Sequence, residues 1–188
     1  NGGEAPVKQG TGFEPAERLG AALAERVLGV LEALQPTVAE AVSGRQETIP
    51  LPPARVRWGR LTLPRFIGQR LTDDDATLTA LVVGPIMFIG VPCDLAASLG
   101  QRLEDAARAD GWRPVVIGFT CDYIGYCIPA SLYETDTYEA SMALNGPTTG
   151  ELVVSRLTEI IEEFTRRERT TQRTEHGTGD TGQVVHDE

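Results

Sequence analysis

Residues 119–141, FTCDYIGYCIPASLYETDTYEAS, concentrate the side chains of this sequence that could bind or activate a substrate. The stretch holds all four tyrosines of the 188-residue chain, two of its three cysteines and four carboxylic acids. A tyrosine can simply be buried with its hydroxyl on a polar partner. Phenols and carboxylates crowded into one loop can also serve as ligands or as acid–base groups. The stretch is therefore the first candidate for a functional site, with packing as the alternative.

The positions of the histidines and the absence of common catalytic motifs limit the chemistry that such a site could perform. The only two histidines, His176 and His186, lie in a polar C-terminal stretch, where we expect them to be solvated. No Ser-centred elbow, HExxH, Walker A or GxGxxG motif is present. General acid–base work would therefore fall on Asp94, Glu139 or a tyrosine.

The three cysteines, Cys93, Cys121 and Cys127, are an odd number without CxxC spacing. This pattern supports neither a disulfide framework nor a structural zinc knuckle. Buried free thiols are the expectation.

Composition excludes several classes of function. A net charge of −10 and a pI of about 4.7, without a cluster of Lys and Arg, argue against nucleic-acid binding. No apolar run is long enough to span a bilayer, and the N-terminus lacks a signal-peptide pattern. We expect a chain that is soluble as given. It does not begin with Met, which suits a processed or truncated piece with any targeting segment elsewhere.

Apolar periodicity predicts the elements that position these residues. Strand, helix and strand in succession indicate an α/β fold, with a layered mixed sheet flanked by helices. We expect a domain over 1–168 and a disordered polar tail over 169–188. The predicted elements are an amphipathic helix over 13–34, edge or extended segments over 47–66, two buried strands over 78–83 and 86–91 joined by a tight turn, a helix from 94 to 111, a strand over 115–119 and a helix over 148–167.

Asp94 follows the second buried strand and begins the next predicted helix. Its carboxylate could cap that helix by accepting backbone N–H groups. It could also be a ligand, because α/β sheets bind ligands at the carboxyl ends of their strands. The sequence leaves both roles open.

Three stretches resemble the neutral (non-lysosomal) ceramidase family, and they occur in the family's order. In chain order they are GTGFEPAERLGAALAERV, TLTALVVGPIMFIGVPCDLAASLGQRL and GFTCDYIGYCIPASLYETDTYEASMALNGPTTGEL, which together cover about residues 10–165. The resemblance implies the C-terminal half of a catalytic domain. It also implies a zinc-dependent N-acyl amide hydrolase that cleaves a lipid amide such as ceramide into a fatty acid and a sphingoid base. Members of the family are often secreted or associated with membrane surfaces.

The resemblance carries roles to three residues. The acidic zinc ligand falls on Asp94, where ceramidases usually have Glu, and the tyrosine ligand falls on Tyr126. A further tyrosine, which would stabilise the oxyanion of the attacked amide, falls on Tyr138. Tyr123 and Tyr133 are then expected to pack or to shape the loop.

The chain also departs from the family pattern. The two zinc histidines would lie upstream of Asn1, and the family's active-site serine has no counterpart near GGEAPV. We therefore expect this chain to be inactive alone, with the missing N-terminal half of the domain as its partner. The alternatives are a related hydrolase of another amide or ester, and a non-catalytic binding or structural module.

Overall fold

A mixed sheet with helices on one face forms the centre of the fold, as the sequence predicted. The computed structural model describes residues 12–35, 42–58, 61–68, 70 and 72–177. The helices are α1 (Glu14–Ala33), α2 (Arg65–Gly68), α3 (Ala97–Ala109), α4 (Tyr138–Ser141) and α5 (Thr149–Gly177). The strands are β1 (Val42–Pro50), β2 (Arg57–Trp58), β3 (Leu61–Thr62), β4 (Asp75–Val83), β5 (Ile86–Gly90), β6 (Asp94–Leu95), β7 (Arg113–Ile117) and β8 (Tyr126–Cys127).

The main sheet has the strand order β1-β4-β5-β7. The pairs β1/β4 and β4/β5 are antiparallel, and β4 and β5 form the hairpin predicted at Gly84-Pro85. The chain then crosses through α3 and returns as β7, which runs parallel to β5. Because β5 and β7 are parallel neighbours, both deliver the chain to the same edge of the sheet. Short pairs β2/β3 and β6/β8 lie outside this sheet.

Helices α3 and α5 cover one face of the sheet and enclose the core. Leu99 and Leu103 of α3 and Leu157 and Ile160 of α5 are almost wholly buried. Their helical spacing produces the apolar stripe that the sequence predicted for both helices. The sheet contributes alternate residues to the same core, which are Ile49, Ala76, Leu78, Ala80, Val82, Met87 and Ile89.

Within the described residues the opposite face of the sheet is uncovered, which corrects one expectation. The apolar runs of β4 and β5 were predicted to be buried on both faces. In β4, however, burial alternates, and Leu81 remains 38% exposed between the buried Ala80 and Val82. The pattern is that of a strand with a single covered side.

Ion pairs connect the edge strand β1 to α5. Glu47 accepts hydrogen bonds from Arg156 of α5 and from Arg45, with 2.7 Å between Arg45 Nη2 and Glu47 Oε2. Arg45 also pairs with Glu163 of α5. The hydrogen bond from Arg156 and the charges of both arginines hold the pKa of Glu47 below its usual value.

Helix α1 forms where the sequence predicted it, with Pro15 in its first turn. None of its residues is buried, and apolar side chains such as Leu23 and Leu31 are more than half exposed. The amphipathic pattern therefore predicted the helix correctly, but within the described residues this helix does not contribute to the core.

Helix α5 continues to Gly177, beyond the boundary predicted at residue 168. The predicted tail is thus wrong for 169–177, because this charged stretch contains no Pro or Gly before Gly177 and keeps residues compatible with a helix. Residues 178–188, with His186, lie outside the described residues, whereas His176 falls on the last turn of α5.

None of the helices in the described part of the chain is long and apolar enough to cross a membrane.

Candidate functional site

Asp94 and Tyr126 lie opposite each other on two short parallel strands. After β5 the chain passes directly into β6, and after β7 it passes through the loop 118–125 into β8. Asp94 pairs in register with Tyr126, and the amide of Asp94 donates to the carbonyl of Gly125 at 3.0 Å. Parallel partners in register direct their side chains to the same face. The topology thus brings together two residues that are 32 positions apart in sequence.

Gly125 fixes the approach of this strand to the turn behind it. Its φ of +85° lies in the left-handed region, and a Cβ there would stand 2.5 Å from the carbonyl oxygen of Met142. The same carbonyl accepts the amide of Tyr126 at 3.1 Å. Only glycine allows so close a backbone contact immediately before the candidate site.

The Tyr126 hydroxyl donates a side-chain hydrogen bond to the Asp94 carboxylate. Partial burial of the phenol, followed by this hydrogen bond and the negative charge of Asp94, raises the pKa of Tyr126 to about 12. The phenol is therefore protonated at neutral pH. A cation placed between the two oxygens would reverse this preference, because it would favour the phenolate.

Asp94 is not the N-cap residue of the helix that follows it. Helix α3 begins at Ala97, and Ala96 occupies its N-cap position without a side-chain cap. Asp94 instead belongs to β6. Asp94 is thus not the N-cap residue of α3, and its carboxylate contacts the Tyr126 hydroxyl.

Tyr138 joins the pair from a third element. It is the first residue of α4, and the N-cap residue Thr137 accepts the amide of Ala140 at 3.3 Å. The rings of Tyr138 and Tyr126 meet edge to face, with centroids 5.7 Å apart and an interplanar angle of 83°. The Tyr138 side chain is 64% exposed. It lies beside Tyr126 and is accessible from solvent.

Tyr123 is the residue that sequence reasoning missed. It was expected to pack or shape the loop, and it does stack on Phe119 of that loop with ring centroids 5.3 Å apart, while its side chain is half exposed. Partial burial, followed by the charges of Asp94, Tyr138 and Cys93, raises the pKa of Tyr123. Tyr123 is thus near enough to Asp94 and Tyr138 for their charges to affect its pKa, and the Y-x-x-Y spacing with Tyr126 is the sequence signal that could have indicated this.

Tyr133, by contrast, is a packing residue as expected. It is 3% exposed, and its hydroxyl lies 3.5 Å from the carbonyl oxygen of Arg55. It borders a separate cavity of about 590 Å³, between the 52–55 segment and the turn before α5. That cavity does not include Asp94, Tyr126 or Tyr138.

The loop 118–125 is held in an unusual backbone conformation. Phe119 and Cys121 have φ values of 58° and 68°, in the region that side chains other than glycine rarely adopt. The loop is anchored near its start by the amide of Thr120, which donates to Val91 at 3.0 Å, and near its end by the amide of Ile124, which donates to Pro92 at 2.8 Å. Between them, Asp122 accepts the amide of Thr77 at 2.6 Å. Such strain is commonly found at functional sites.

Two thiols lie behind the site. Cys93 and Cys127 are buried, as expected for free cysteines, whereas Cys121 is exposed. A hydrogen bond with Cys127, together with burial, raises the pKa of the Cys93 thiol. Both thiols are thus part of the core beneath Asp94 and Tyr126.

The described residues do not by themselves form a metal site. In the part of the chain that the structure describes, no group of three His, Cys, Asp or Glu side chains is arranged to hold a metal ion. Asp94 and Tyr126 offer two neighbouring oxygen donors. A zinc site usually takes three or four protein ligands. These residues fit such a site only if further ligands come from elsewhere.

Comparison with known proteins gives the same family that the sequence resembles. No protein-family model matches the chain. The neutral ceramidases of Drosophila pseudoobscura pseudoobscura and Drosophila melanogaster are each 26% identical to it over 119 residues, which is 58% of this chain and 16% of each relative. The solved neutral ceramidase from Pseudomonas aeruginosa superposes with a TM-score of 0.68 over 86% of this chain and 35% of that chain, at 17% identity.

These comparisons confirm the resemblance and the α/β fold. The chain is similar to one segment of neutral ceramidases, and it spans 16% of the length of the Drosophila relatives.

Proposed function

We propose that this chain forms part of a zinc-dependent N-acyl amide hydrolase of ceramidase type. Its substrate class would be a lipid amide such as ceramide, cleaved to a fatty acid and a sphingoid base. The observation that carries the proposal is the meeting of Asp94, Tyr126 and Tyr138 from three separate elements. The sequence likeness to neutral ceramidases supports the choice of reaction.

Asp94 and Tyr126 would supply two oxygen ligands to the metal. Bound zinc would polarise the amide carbonyl and acidify a water molecule. Tyr126 must release its proton to act as a phenolate ligand, and in the chain alone its pKa of about 12 opposes that release. The Asp94 carboxylate, which accepts the hydrogen bond of the Tyr126 hydroxyl, would bind the same cation.

Tyr138 would act on the substrate. Its exposed side chain adjoins Tyr126 and can donate a hydrogen bond to oxygen that becomes negative during attack on an amide. A donor fixed in place before the reaction needs no reorganisation when that charge develops.

The remaining ligands would come from a part of a larger catalytic domain outside this chain. Two observations support this step. Within the described residues the donor set stops at two oxygens, and the chain matches only 35% of the solved ceramidase. We therefore expect this chain alone to bind zinc weakly and to show no amidase activity.

The test uses the polypeptide extended by the coding sequence upstream of Asn1, with zinc measured by elemental analysis and hydrolysis measured on a fluorescent ceramide. Asp94→Asn and Tyr126→Phe should each lose zinc and activity while remaining folded. Tyr138→Phe should retain zinc and lose turnover by about 10²-fold or more.

Two matched controls separate the site from general effects. Tyr133→Phe removes a hydroxyl outside the site, and Asp105→Asn removes an exposed carboxylate of α3. Both should keep zinc and activity. Full zinc and full activity in Asp94→Asn would overturn the proposal.

A further inference from the structure

The loop 118–125 joins β7 to β8 and lies along the segment that leads to Asp94. Near its start, the amide of Thr120 donates to the carbonyl of Val91 at 3.0 Å. At its end, the carbonyl of Gly125 accepts the amide of Asp94 at 3.0 Å. The position of Asp94 relative to β8 therefore depends on where this loop lies.

The carboxylate of Asp122 connects the middle of the loop to the main sheet. Its Oδ2 accepts the amide of Thr77, a residue of β4, at 2.6 Å. The pairing of β4 with β5 ends at Thr79, opposite Gly90. Two residues before that point on β4, the carboxylate thus takes the place that a strand carbonyl would fill. A hydrogen bond to an ionised carboxylate is about twice as strong as one between neutral groups. We call this contact the Asp122–Thr77 bond.

The backbone just before Asp122 is strained. Phe119 and Cys121 have φ values of 58° and 68°, which residues other than glycine rarely adopt. Such conformations cost free energy and persist only where neighbouring contacts enforce them. Without the Asp122–Thr77 bond the loop can relax, and the residues that follow it, including Tyr126, then move with it.

The strand pair that the loop enters is too short to fix its own position. Strands β6 and β8 pair at two positions, Asp94 with Tyr126 and Leu95 with Cys127. So short a pair has little preference for one register over another. The segments that lead into the two strands must therefore set the register, and on the side of β8 that segment is the loop 118–125.

We propose that Asp122 is a positioning residue of the candidate site, whose carboxylate holds the loop 118–125 on β4 so that Tyr126 lies opposite Asp94. The inference rests on the proposed function, in which Asp94 and Tyr126 supply two ligands. Asp122 acts through the loop, and we assign it no contact with substrate or metal.

The first test is amide hydrogen exchange, measured by NMR on the 188-residue chain. Asp122→Ala removes the acceptor of the Thr77 amide and releases the loop whose carbonyl accepts the Asp94 amide. Exchange at Thr77 and Asp94 should each become faster by about 10-fold or more. Asp122→Asn keeps an oxygen that can accept the Thr77 amide, so it should retain most of the protection.

Two controls separate a local effect from a general one. Asp75→Ala removes an exposed carboxylate at the start of the same strand, and it should leave both protection factors unchanged. Within Asp122→Ala itself, the contact between the indole of Trp112 and Thr165, which are 2.8 Å apart in the native chain, should persist. Its NOE reports that the core remains folded.

The second test observes the site directly. The rings of Tyr126 and Tyr138 meet edge to face with centroids 5.7 Å apart, so their protons should give an NOE in the native chain. In Asp122→Ala this NOE should weaken, because Tyr126 moves with the loop. In Asp122→Asn it should remain.

The third test measures kcat and KM on a fluorescent ceramide, with the polypeptide extended by the coding sequence upstream of Asn1. Asp122→Ala should lower kcat by about 10²-fold if Tyr126 shifts by about 1 Å, with KM changed by less than about twofold. Asp122→Asn should restore most of the kcat. A loss of stability alone would lower the folded fraction, which circular dichroism measures, without changing kcat per folded molecule.

Three results would overturn the inference. The first needs no variant: in the native chain, a Thr77 amide that exchanges independently of the Asp94 amide over a range of urea concentrations would show that the two do not open together. The second is a folded Asp122→Ala chain with unchanged exchange at Asp94 and an unchanged NOE between Tyr126 and Tyr138. The third is an equal loss in Asp122→Asn and Asp122→Ala, which would assign the effect to the charge and not to the Asp122–Thr77 bond.

Failure of this inference and failure of the proposed function have different results. Exchange and NOE are measured on the 188-residue chain and require neither zinc nor activity. If both change as expected while the extended polypeptide shows no amidase activity, the proposed function is refuted and Asp122 still positions Tyr126. If the extended polypeptide is active and Asp122→Ala keeps its kcat, the positioning role alone is refuted.

Discussion

Replacing Asp94 with Asn should lower the pKa of Tyr126. In the native chain that pKa is raised from 10.0 to about 12, first by partial burial and then by the hydrogen bond to Asp94 and its charge. Asparagine keeps an oxygen that can accept the phenol's hydrogen bond, but it removes the negative charge. Burial is unchanged, so the pKa should fall by about one unit and not return to 10.0.

The measurement is an NMR titration of the tyrosine rings, with Tyr126→Phe used to assign the Tyr126 signal. Near pH 11, about one tenth of Tyr126 should be ionised in the native chain and about half in Asp94→Asn. Asp105→Asn, which removes an exposed carboxylate of α3, should leave the Tyr126 titration unchanged.

The same shift has a consequence for stability. Because the folded pKa of Tyr126 lies above the unfolded value of 10.0, its contribution to the free energy of unfolding is complete below that pH. The contribution is lost as the pH rises through about 12. Tyr126→Phe should therefore lose less stability over this window than the native chain. An unchanged Tyr126 titration in Asp94→Asn would refute the contact on which the candidate site depends.

Two further predictions concern the scaffold, and both are measured by urea unfolding. Gly125→Ala should destabilise the chain by more than the roughly 1 kcal/mol of a positive φ, because its Cβ would also meet a carbonyl oxygen at 2.5 Å. Gly111 has a φ of +94° and open space around it, so Gly111→Ala measures the backbone cost alone. An equal loss of stability in Gly125→Ala and Gly111→Ala would contradict the close contact at Gly125. Glu47→Gln should cost about 1 kcal/mol at neutral pH, since it removes the charge that pairs with two arginines. The pKa of Glu47 is lowered from 4.5, so the native chain should lose this stabilisation as the pH falls below about 4.5, whereas the variant should not. If the free energies of unfolding of the native chain and the variant fell in parallel with decreasing pH, the ion pair would be refuted.

The secondary structure could be read from the sequence wherever a local pattern decides it. Helical spacing of apolar residues predicted α1, α3 and α5, and the Gly84-Pro85 dipeptide predicted the β4–β5 turn. These features depend on neighbours within a few positions. The end of α5 was missed, because a charged stretch without breakers can be a helix or a solvated coil with similar composition.

Burial could not be read in the same way. Leu81 and Leu19 have the apolar character of core residues, yet both are exposed. Whether an apolar side chain is covered depends on which element lies opposite, and that element can be far away in sequence or in another part of the domain.

In the candidate site, too, some features follow from the sequence and others from long-range packing. The sequence by itself determined the inventory of chemical groups, since it confined all four tyrosines to one stretch, left two histidines near the C-terminus and placed Asp94 after a buried strand. Only the tertiary structure decided that Asp94 lies opposite Tyr126 and is not the N-cap residue of α3, because that placement depends on the parallel register of two short strands. It also decided that Tyr123 adjoins the site and that Tyr133 lies in the core. A two-residue strand pair has too little local sequence signal to specify its register, so long-range packing of β5, α3 and β7 must set it.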